Sequence, residues 1–178
     1  LHAVREVHTV SVDGECRELL LVLAAGECRP AYHCVNLGRH PQSFVTSERH
    51  AQPRIAGAPG QFLYEPNASI LKAGVQDALC ESMDVSKLHP FSHLFTSDIL
   101  RQNFPGRSFR VDGISTYGKR ELKSFLRDVR QANLAVRNFP STVAQLRKQW
   151  HLAEGGDIYL FATTLADGTH ALIRCSKV

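Results

Sequence analysis

The sequence predicts an α+β fold in which helices pack on a mixed sheet, and three observations support this. Several short segments alternate apolar and polar residues, as half-buried strands do. Two later segments repeat apolar residues at spacings of three and four, as amphipathic helices do. Asp-Gly pairs at residues 13–14 and 167–168 are typical of tight hairpin turns. The C-terminal order of strand, helix, strand, helix, strand, strand favours helices on a mixed sheet.

The N-terminal part opens with a predicted strand over residues 4–12, which ends at the first Asp-Gly turn. The apolar run at residues 15–25 fits either a helix or the second strand of a hairpin, because periodicity does not separate them in so short a run. Another strand is predicted over residues 31–37. Residues 47–60 are rich in glycine, proline, alanine and charge, which predicts a linker and a domain boundary near Gly60.

The middle of the chain is predicted to hold three strands and one helix. A short strand at residues 62–67 runs into a Pro-Asn break, and residues 68–83 predict a single helix with a broad apolar face. Two strands follow at residues 89–98 and 108–116, separated by a loop.

Residues 117–131 predict a helix with one apolar stripe, formed by Leu122, Phe125, Leu126 and Val129. At 100° per residue, one flank of this helix is purely basic, with its two acidic residues on the other side. The basic flank consists of Lys119, Arg120, Lys123, Arg127 and Arg130.

A strand is predicted over residues 133–139, and Phe139 must stay extended because Pro140 follows it. Thr142 and Gln145 have the spacing of a capping box, which predicts the start of a helix over residues 141–152. The last two strands, with the second Asp-Gly turn between them, are predicted over residues 157–165 and 169–177.

Charge is unevenly distributed along the chain. Residues 1–100 contain 8 Lys and Arg against 11 Asp and Glu, a net charge of −3. Residues 101–178 contain 13 against 6, a net charge of +7. The basic surplus therefore predicts an anionic partner for the C-terminal part.

Two arginines, Arg107 in FPGR and Arg137 in RNFP, lie beside prolines that fix the local turn. The planar guanidinium suits phosphate, so both are candidate nucleic-acid contacts, and both are equally candidates for pinning loop carbonyls or pairing with nearby aspartates. Strand alternation places Arg137 on the face opposite Leu134 and Val136, which favours a contact role. Asn138 is predicted to bond the local backbone.

The EPN motif at residues 65–67 places a carboxylate and an amide at a strand end. Glu65 and Asn67 are candidates for an interdomain or active-site loop. The alternative is that Asn67 caps the next helix and that the charge of Glu65 is favourable near the helix N-terminus. Lys72, one turn into that helix, is a third candidate for this interdomain or active-site loop. The alternative is that Lys72 is a solvated surface lysine.

Cysteine, histidine and catalytic motifs limit the function classes. Five cysteines without CxxC spacing predict reduced thiols in a cytoplasmic protein. Cys80, His89 and His93 form an incomplete ligand set, so no metal site is predicted. No P-loop, GxGxxG, GxSxG or HExxH motif occurs, so no catalytic residue is predicted. The apolar runs are too short to cross a membrane, and the start at Leu1 predicts a fragment of a longer protein.

Five segments carry a resemblance to a known family. They are FLYEPNASILKAG, LHPFSHLFTSD, FPGRSFRV, KRELKSFLRDVRQANLAVRNFP and GGDIYLFATTLADGTHALIRCSK. Together they resemble the C-terminal region of bacterial class I SAM-dependent methyltransferase-like proteins that end in a THUMP-like domain. The resemblance implies a ferredoxin-like segment over residues 1–59, following a methyltransferase domain, and a THUMP-like domain over residues 60–178.

The resemblance also implies a function, because THUMP domains are RNA-binding modules of RNA-modifying enzymes. S-adenosylmethionine is expected to bind the upstream methyltransferase domain, and no cofactor is expected in these residues. Our first hypothesis is an RNA-binding, substrate-presenting region in which the basic helix flank contacts phosphate and Arg107 and Arg137 fix the register. The alternative is a structural module that packs on the methyltransferase domain or dimerises it. A third reading has Glu65 contribute to the active site of the upstream domain.

Overall fold

The structure is a computed structural model that describes residues 2–178. The chain divides into two compact units that alternate along the sequence. The first comprises the residues up to Arg54 together with Glu65–Val85 and Arg101–Arg107, and the second comprises Ile55–Tyr64, Ser86–Leu100 and Ser108–Val178. The boundary near Gly60 differs from this alternating division and stays a prediction.

The first unit contains a four-stranded sheet in the order β2-β1-β3-β4. Its strands are β1 (His2–Val12), β2 (Glu15–Ala25), β3 (Ala31–Leu37) and β4 (Gln42–Thr46). β1 pairs antiparallel with β2 and parallel with β3, and β3 pairs antiparallel with β4. The ambiguous run at residues 15–25 is thus a strand, because the preceding two-residue turn folds it back along β1. β4 was not predicted.

The predicted single helix over residues 68–83 is wrong. The structure has α1 (Ala68–Ala73), a 3-10 turn (Gln76–Ala78) and α2 (Leu79–Ser82). Gly74 adopts φ 71°, a left-handed conformation that ends α1. α1 packs on β1 and β3, where alternate residues such as Thr9 and Cys34 are fully buried.

A second, mixed sheet has seven strands in the order β6-β7-β5-β8-β11-β10-β9, and most of their residues belong to the second unit. Its strands are β5 (Phe62–Pro66), β6 (Ser86–Lys87), β7 (Phe95–Ser97), β8 (Gly106–Thr116), β9 (Gln131–Arg137), β10 (Ala153–Thr164) and β11 (His170–Lys177). β9 and β10 are parallel, whereas β11 is antiparallel to both β10 and β8. The predicted α+β class with a mixed sheet is confirmed.

Two helices cover one face of this sheet. α3 spans Lys119–Phe125 and is shorter than predicted, while α4 spans Val143–Trp150 and begins with the predicted capping box. In that box Gln145 N donates to Thr142 Oγ1 over 3.3 Å, and Thr142 N donates to Gln145 Oε1 over 2.8 Å. Across residues 2–178, no helix is both long and apolar enough to cross a membrane.

The central strands of this sheet are buried on both faces. On the helix side, Leu160 of β10 and Leu172 of β11 pack with Leu122 of α3 and Leu146 of α4. On the other side, alternate residues of the same strands join a second cluster, which comprises Leu63, Leu88, Leu94, Phe109, Phe161, Ile173 and Cys175. This two-sided burial explains why β10 and β11 carry near-continuous apolar runs.

We expect Gly106→Ala to destabilise the chain by about 1–3 kcal/mol, the typical cost of overpacking. A Cβ at Gly106 would overlap the carbonyl oxygen of Glu65 and lie 2.8 Å from Cα of Pro66, and neither backbone atom can rotate away. Urea unfolding measures the effect. Gly57→Ala is the matched control because a Cβ there meets nothing within 4 Å. Equal stability of both variants would contradict the close approach.

We expect Cys175 to make the free energy of unfolding depend on alkaline pH. Burial raises the pKa of the Cys175 thiol to about 12 from its ordinary value of 9.0. A raised pKa stabilises the folded state below the ordinary value, and this contribution is lost as pH rises toward 12. Chemical unfolding at several alkaline pH values should show a shallower decline for Cys175→Ala. Parallel declines would contradict the burial of this thiol.

Candidate nucleic-acid interface

A cavity of about 710 Å³ lies in the second unit beside α3 and the C-terminal end of α4. Four of its lining residues are basic, namely Lys119, Lys123, Arg127 and Arg130. Tyr117, Gln149, Trp150 and His151 form another part of the wall, and Leu122 and Leu126 contribute apolar surface. The cavity therefore combines cations with two large aromatic side chains.

The local structure explains how the four cations come together. α3 ends at Phe125, its C-cap Leu126 has φ −97° and ψ 4°, and the chain then turns so that Val129 is buried. Lys119 and Lys123 lie on the helix, whereas Arg127 and Arg130 lie in the connection to β9. The predicted basic flank is thus assembled partly by a turn and not by one long helix.

The aromatic wall is held by the core. Trp150 and Tyr117 both pack against the helix-side cluster and are half-buried. Their ring centroids are 6.1 Å apart, and Tyr117 also contacts Phe139 edge-on at 5.1 Å. Because packing fixes both rings, the exposed part of each can receive a ligand at small entropic cost.

The two acidic residues near the basic flank, Glu121 and Asp128, do not line the cavity and form hydrogen bonds with other side chains. Asp128 accepts two hydrogen bonds from Arg174 Nη1, at 3.0 and 3.1 Å, which lower the pKa of Asp128 below its ordinary value. Glu121 accepts a hydrogen bond from the hydroxyl of Thr116. Among the described residues, the cavity lining contains four cations and no carboxylate. Its electrostatic character is therefore strongly positive.

The other three predicted RNA contacts are placed differently. Arg120 is exposed on α3 but does not line the cavity. Arg107 belongs to the first unit, where its Nε donates to Glu65 Oε2 over 3.0 Å. Arg137 is half-buried at the end of β9, and its Nη1 donates to the carbonyl of Val136 over 2.8 Å. The structure thus brings together four of the seven predicted cations.

The EPN motif forms an ion pair and hydrogen bonds with other residues of the first unit. Glu65 is only 5% exposed and forms an ion pair with Arg107. Asn67 occupies the N-cap position of α1, but its side chain makes no capping hydrogen bond and donates instead to Gln42 Oε1 over 2.8 Å. Gln42 in turn donates to the carbonyls of Phe104 and Gly106. The capping role predicted for the Asn67 side chain is therefore wrong, and Lys72 is exposed in the last turn of α1.

The RNFP segment forms a corner at the end of β9. Asn138 adopts φ 51°, and its side-chain amide lies 3.0 Å from Nδ1 of His89. Its carbonyl accepts a hydrogen bond from the hydroxyl of Thr164 over 2.6 Å. The predicted bond from the Asn138 side chain to the local backbone is therefore replaced by a bond to a distant histidine.

Sequence reasoning missed part of the aromatic wall. Trp150 lies within the predicted helix over residues 141–152 and Tyr117 at the start of the predicted helix over residues 117–131, and no motif marks either residue as a ligand contact. Both rings lie close to the basic flank only in the folded chain, where residues of α3 and α4 line the same cavity. The sequence alone therefore carried no signal for this aromatic wall. The incomplete set of Cys80, His89 and His93 is not gathered into a ligand cluster within residues 2–178.

Comparison with known proteins agrees with this architecture. Residues 62–105 match the model of a ferredoxin-like domain, and residues 106–177 match the model of a THUMP domain-like family. The chain therefore carries a ferredoxin-like domain followed by a THUMP-like domain. The ferredoxin-like match begins at residue 62, whereas the resemblance in the sequence had implied residues 1–59 for it. The cavity lies entirely within the THUMP-like match.

One solved structure extends the comparison to the whole chain. The crystal structure of a "putative methyltransferase" from Porphyromonas gingivalis W83 aligns with 100% of this chain at a TM-score of 0.88 and 33% identity. This chain spans 47% of that protein, so it corresponds to about half of its length. No curated protein matches the chain. The predicted resemblance to methyltransferase-like proteins that carry ferredoxin-like and THUMP-like domains is confirmed.

We expect Asn138→Ala to be less stable than Asn138→Gly by about 1 kcal/mol, because alanine is strained at positive φ and glycine is not. Both variants lose the contact with His89. The difference between their free energies of unfolding therefore reports the cost of the left-handed backbone conformation at residue 138. Urea unfolding of the two variants measures it. Equal midpoints would show that the left-handed conformation at this corner carries no cost.

Proposed function

We propose that this chain is the RNA-binding, substrate-presenting region of a SAM-dependent methyltransferase that acts on RNA. The observation that carries the proposal is the cavity lined by four cations and two aromatic rings within the THUMP-like domain. THUMP domains generally bind RNA, and the similar solved structure is described as a "putative methyltransferase". Both comparisons support the proposal.

The proposed division of labour follows from the chemistry of the lining. Lys119, Lys123, Arg127 and Arg130 neutralise backbone phosphates, which positions the RNA without reading its sequence. Tyr117 and Trp150 offer ring faces on which an unpaired base can stack. A volume of about 710 Å³ falls within the range of small-ligand pockets and is sufficient for a nucleotide.

The remaining predicted cations have smaller proposed roles. Arg120 extends the positive surface on α3 as an outer phosphate contact. Arg107 donates a hydrogen bond to the carboxylate of Glu65, and Arg137 donates one to the carbonyl of Val136. Because both guanidinium groups make contacts within the fold, we propose only a secondary contribution to RNA binding for them.

Catalysis belongs, in this proposal, to a methyltransferase domain outside these residues, with S-adenosylmethionine as its cofactor. The sequence contains no glycine-rich strand-to-helix motif of the kind that receives such a cofactor. We propose a cytoplasmic location, which is supported by five cysteines that are all free thiols.

A second candidate function is supported by a different surface. Leu19, Leu20, Leu21, Val22 and Leu23 of the edge strand β2 are between 41% and 58% exposed. Five consecutive exposed apolar residues are unusual on an edge strand and favour a protein contact. This observation favours a structural module that packs on the methyltransferase domain or on a second copy, and such a role is compatible with RNA binding elsewhere.

We expect the chain to bind a fluorescently labelled hairpin RNA with strong salt dependence. If about four to six phosphates are contacted, log K should fall with log salt at a slope of about −3 to −4. Replacing Lys119, Lys123, Arg127 and Arg130 by glutamine should remove about 3 units of that slope. Fluorescence anisotropy over a salt series measures both values.

The control for this experiment removes the same charge elsewhere. Arg5, Arg17, Arg29 and Arg39 are all exposed in the first unit, so their replacement by glutamine matches the change in net charge. The control should retain most of the slope. If both variants lose affinity equally, binding is non-specific attraction to a basic protein, and if the unmodified chain retains no RNA at low salt, the structural module becomes the better account.

A further inference from the structure

Three side chains whose atoms can ligate a metal ion lie together on the sheet of the first unit. Glu6 and His8 are two residues apart on β1, so they point to the same face. His33 of β3 is in parallel register with His8, and the two imidazole rings stack with centroids 4.4 Å apart and planes within 6°. Nε2 of His8 lies 2.8 Å from Oε2 of Glu6. All three side chains are half-buried.

We propose that Glu6, His8 and His33 form a binding site for a divalent transition-metal ion of the zinc type. Two imidazole nitrogens and one carboxylate oxygen are the donor set that Zn²⁺ and its neighbours accept, and three protein ligands leave a position for water or a further ligand. Nothing in the activity proposed above requires this site, because it lies in the other unit.

The distances between the donor atoms fit this assignment. One ligand atom from each residue lies within 4.8 Å of the other two. With metal–ligand bonds of about 2.1 Å and tetrahedral angles, donor atoms are about 3.4 Å apart. The 2.8 Å between Nε2 of His8 and Oε2 of Glu6 must therefore open slightly when an ion binds. In the proposed site, rotation about the side-chain torsions widens this spacing and turns a ring nitrogen of each histidine toward the ion.

The register of the sheet supports a specific site. Glu6 lies opposite Val22, His8 opposite Leu20 and His33 opposite Val45, so an apolar neighbour flanks each ligand on the same face. Such neighbours lower the local dielectric and strengthen the attraction between an ion and a carboxylate. A simple Glu–His pair would not need His33, whereas a metal site uses all three.

The test is a titration of the whole chain with zinc and with cobalt after dialysis against a chelator and alkylation of accessible thiols. We expect one equivalent of metal per chain with micromolar or tighter affinity, a rise in melting temperature and a visible cobalt spectrum. His8→Ala, His33→Ala and Glu6→Gln should each weaken binding by at least about tenfold, since losing even a residue that only supports a ligand costs that much.

The control is His50→Ala, an exposed histidine of the same unit that is outside the cluster. It should bind zinc as the unmodified chain does. His33→Gln and Glu6→Gln retain side-chain size, so they report on the ligands if an alanine variant unfolds. No saturable binding at micromolar zinc, or equal affinity in the three ligand variants and the control, would overturn the site. RNA binding is expected to be unchanged throughout, so this result is independent of the proposed function.

Discussion

The burial of Leu122 and Leu146 against β9, β10 and β11 is the interaction on which the candidate interface depends. Leu146 is completely buried, and Leu122 is 7% exposed at the centre of the same cluster. Each residue lies on a helix of only seven or eight residues, which is too short to be stable alone in water. Tertiary packing therefore holds α3 and α4 in place, and with them Lys119 and Lys123 of the cavity wall.

This packing also explains the chemistry of the surface. Once Leu122 faces the sheet, Lys119 and Lys123 are directed away from it, and the short connection to β9 brings Arg127 and Arg130 to the same side. Asp128, which would cancel part of this charge, is bound to Arg174 of β11. That ion pair is exposed and contributes little to stability, so its main effect is on where negative charge lies.

The first unit carries its features on a sheet that is covered unevenly. α1 packs where Thr9 and Cys34 are buried, whereas Glu6, His8 and His33 lie on alternate residues and remain half-buried. The edge strand β2 is exposed along its apolar run. The first unit thus has one sheet face packed against α1 and one exposed apolar edge.

Local signals in the sequence determined much of the architecture. The strand over residues 4–12, the capping box at Thr142, the last hairpin and the α+β class follow from interactions within a few residues, and all are confirmed by the structure. The charge asymmetry and the four cations that line the cavity were also visible in the sequence, and their role as RNA contacts stays a prediction. Long-range packing decided the rest, because it depends on residues far apart in the chain. Pairing with β1 made residues 15–25 a strand, and Gly74 divided the predicted helix. Glu65 engaged Arg107, and the register of β1 with β3 brought His33 beside His8. A sequence pattern reports what each segment favours alone, whereas the partners of a buried charge or a strand are chosen by the fold.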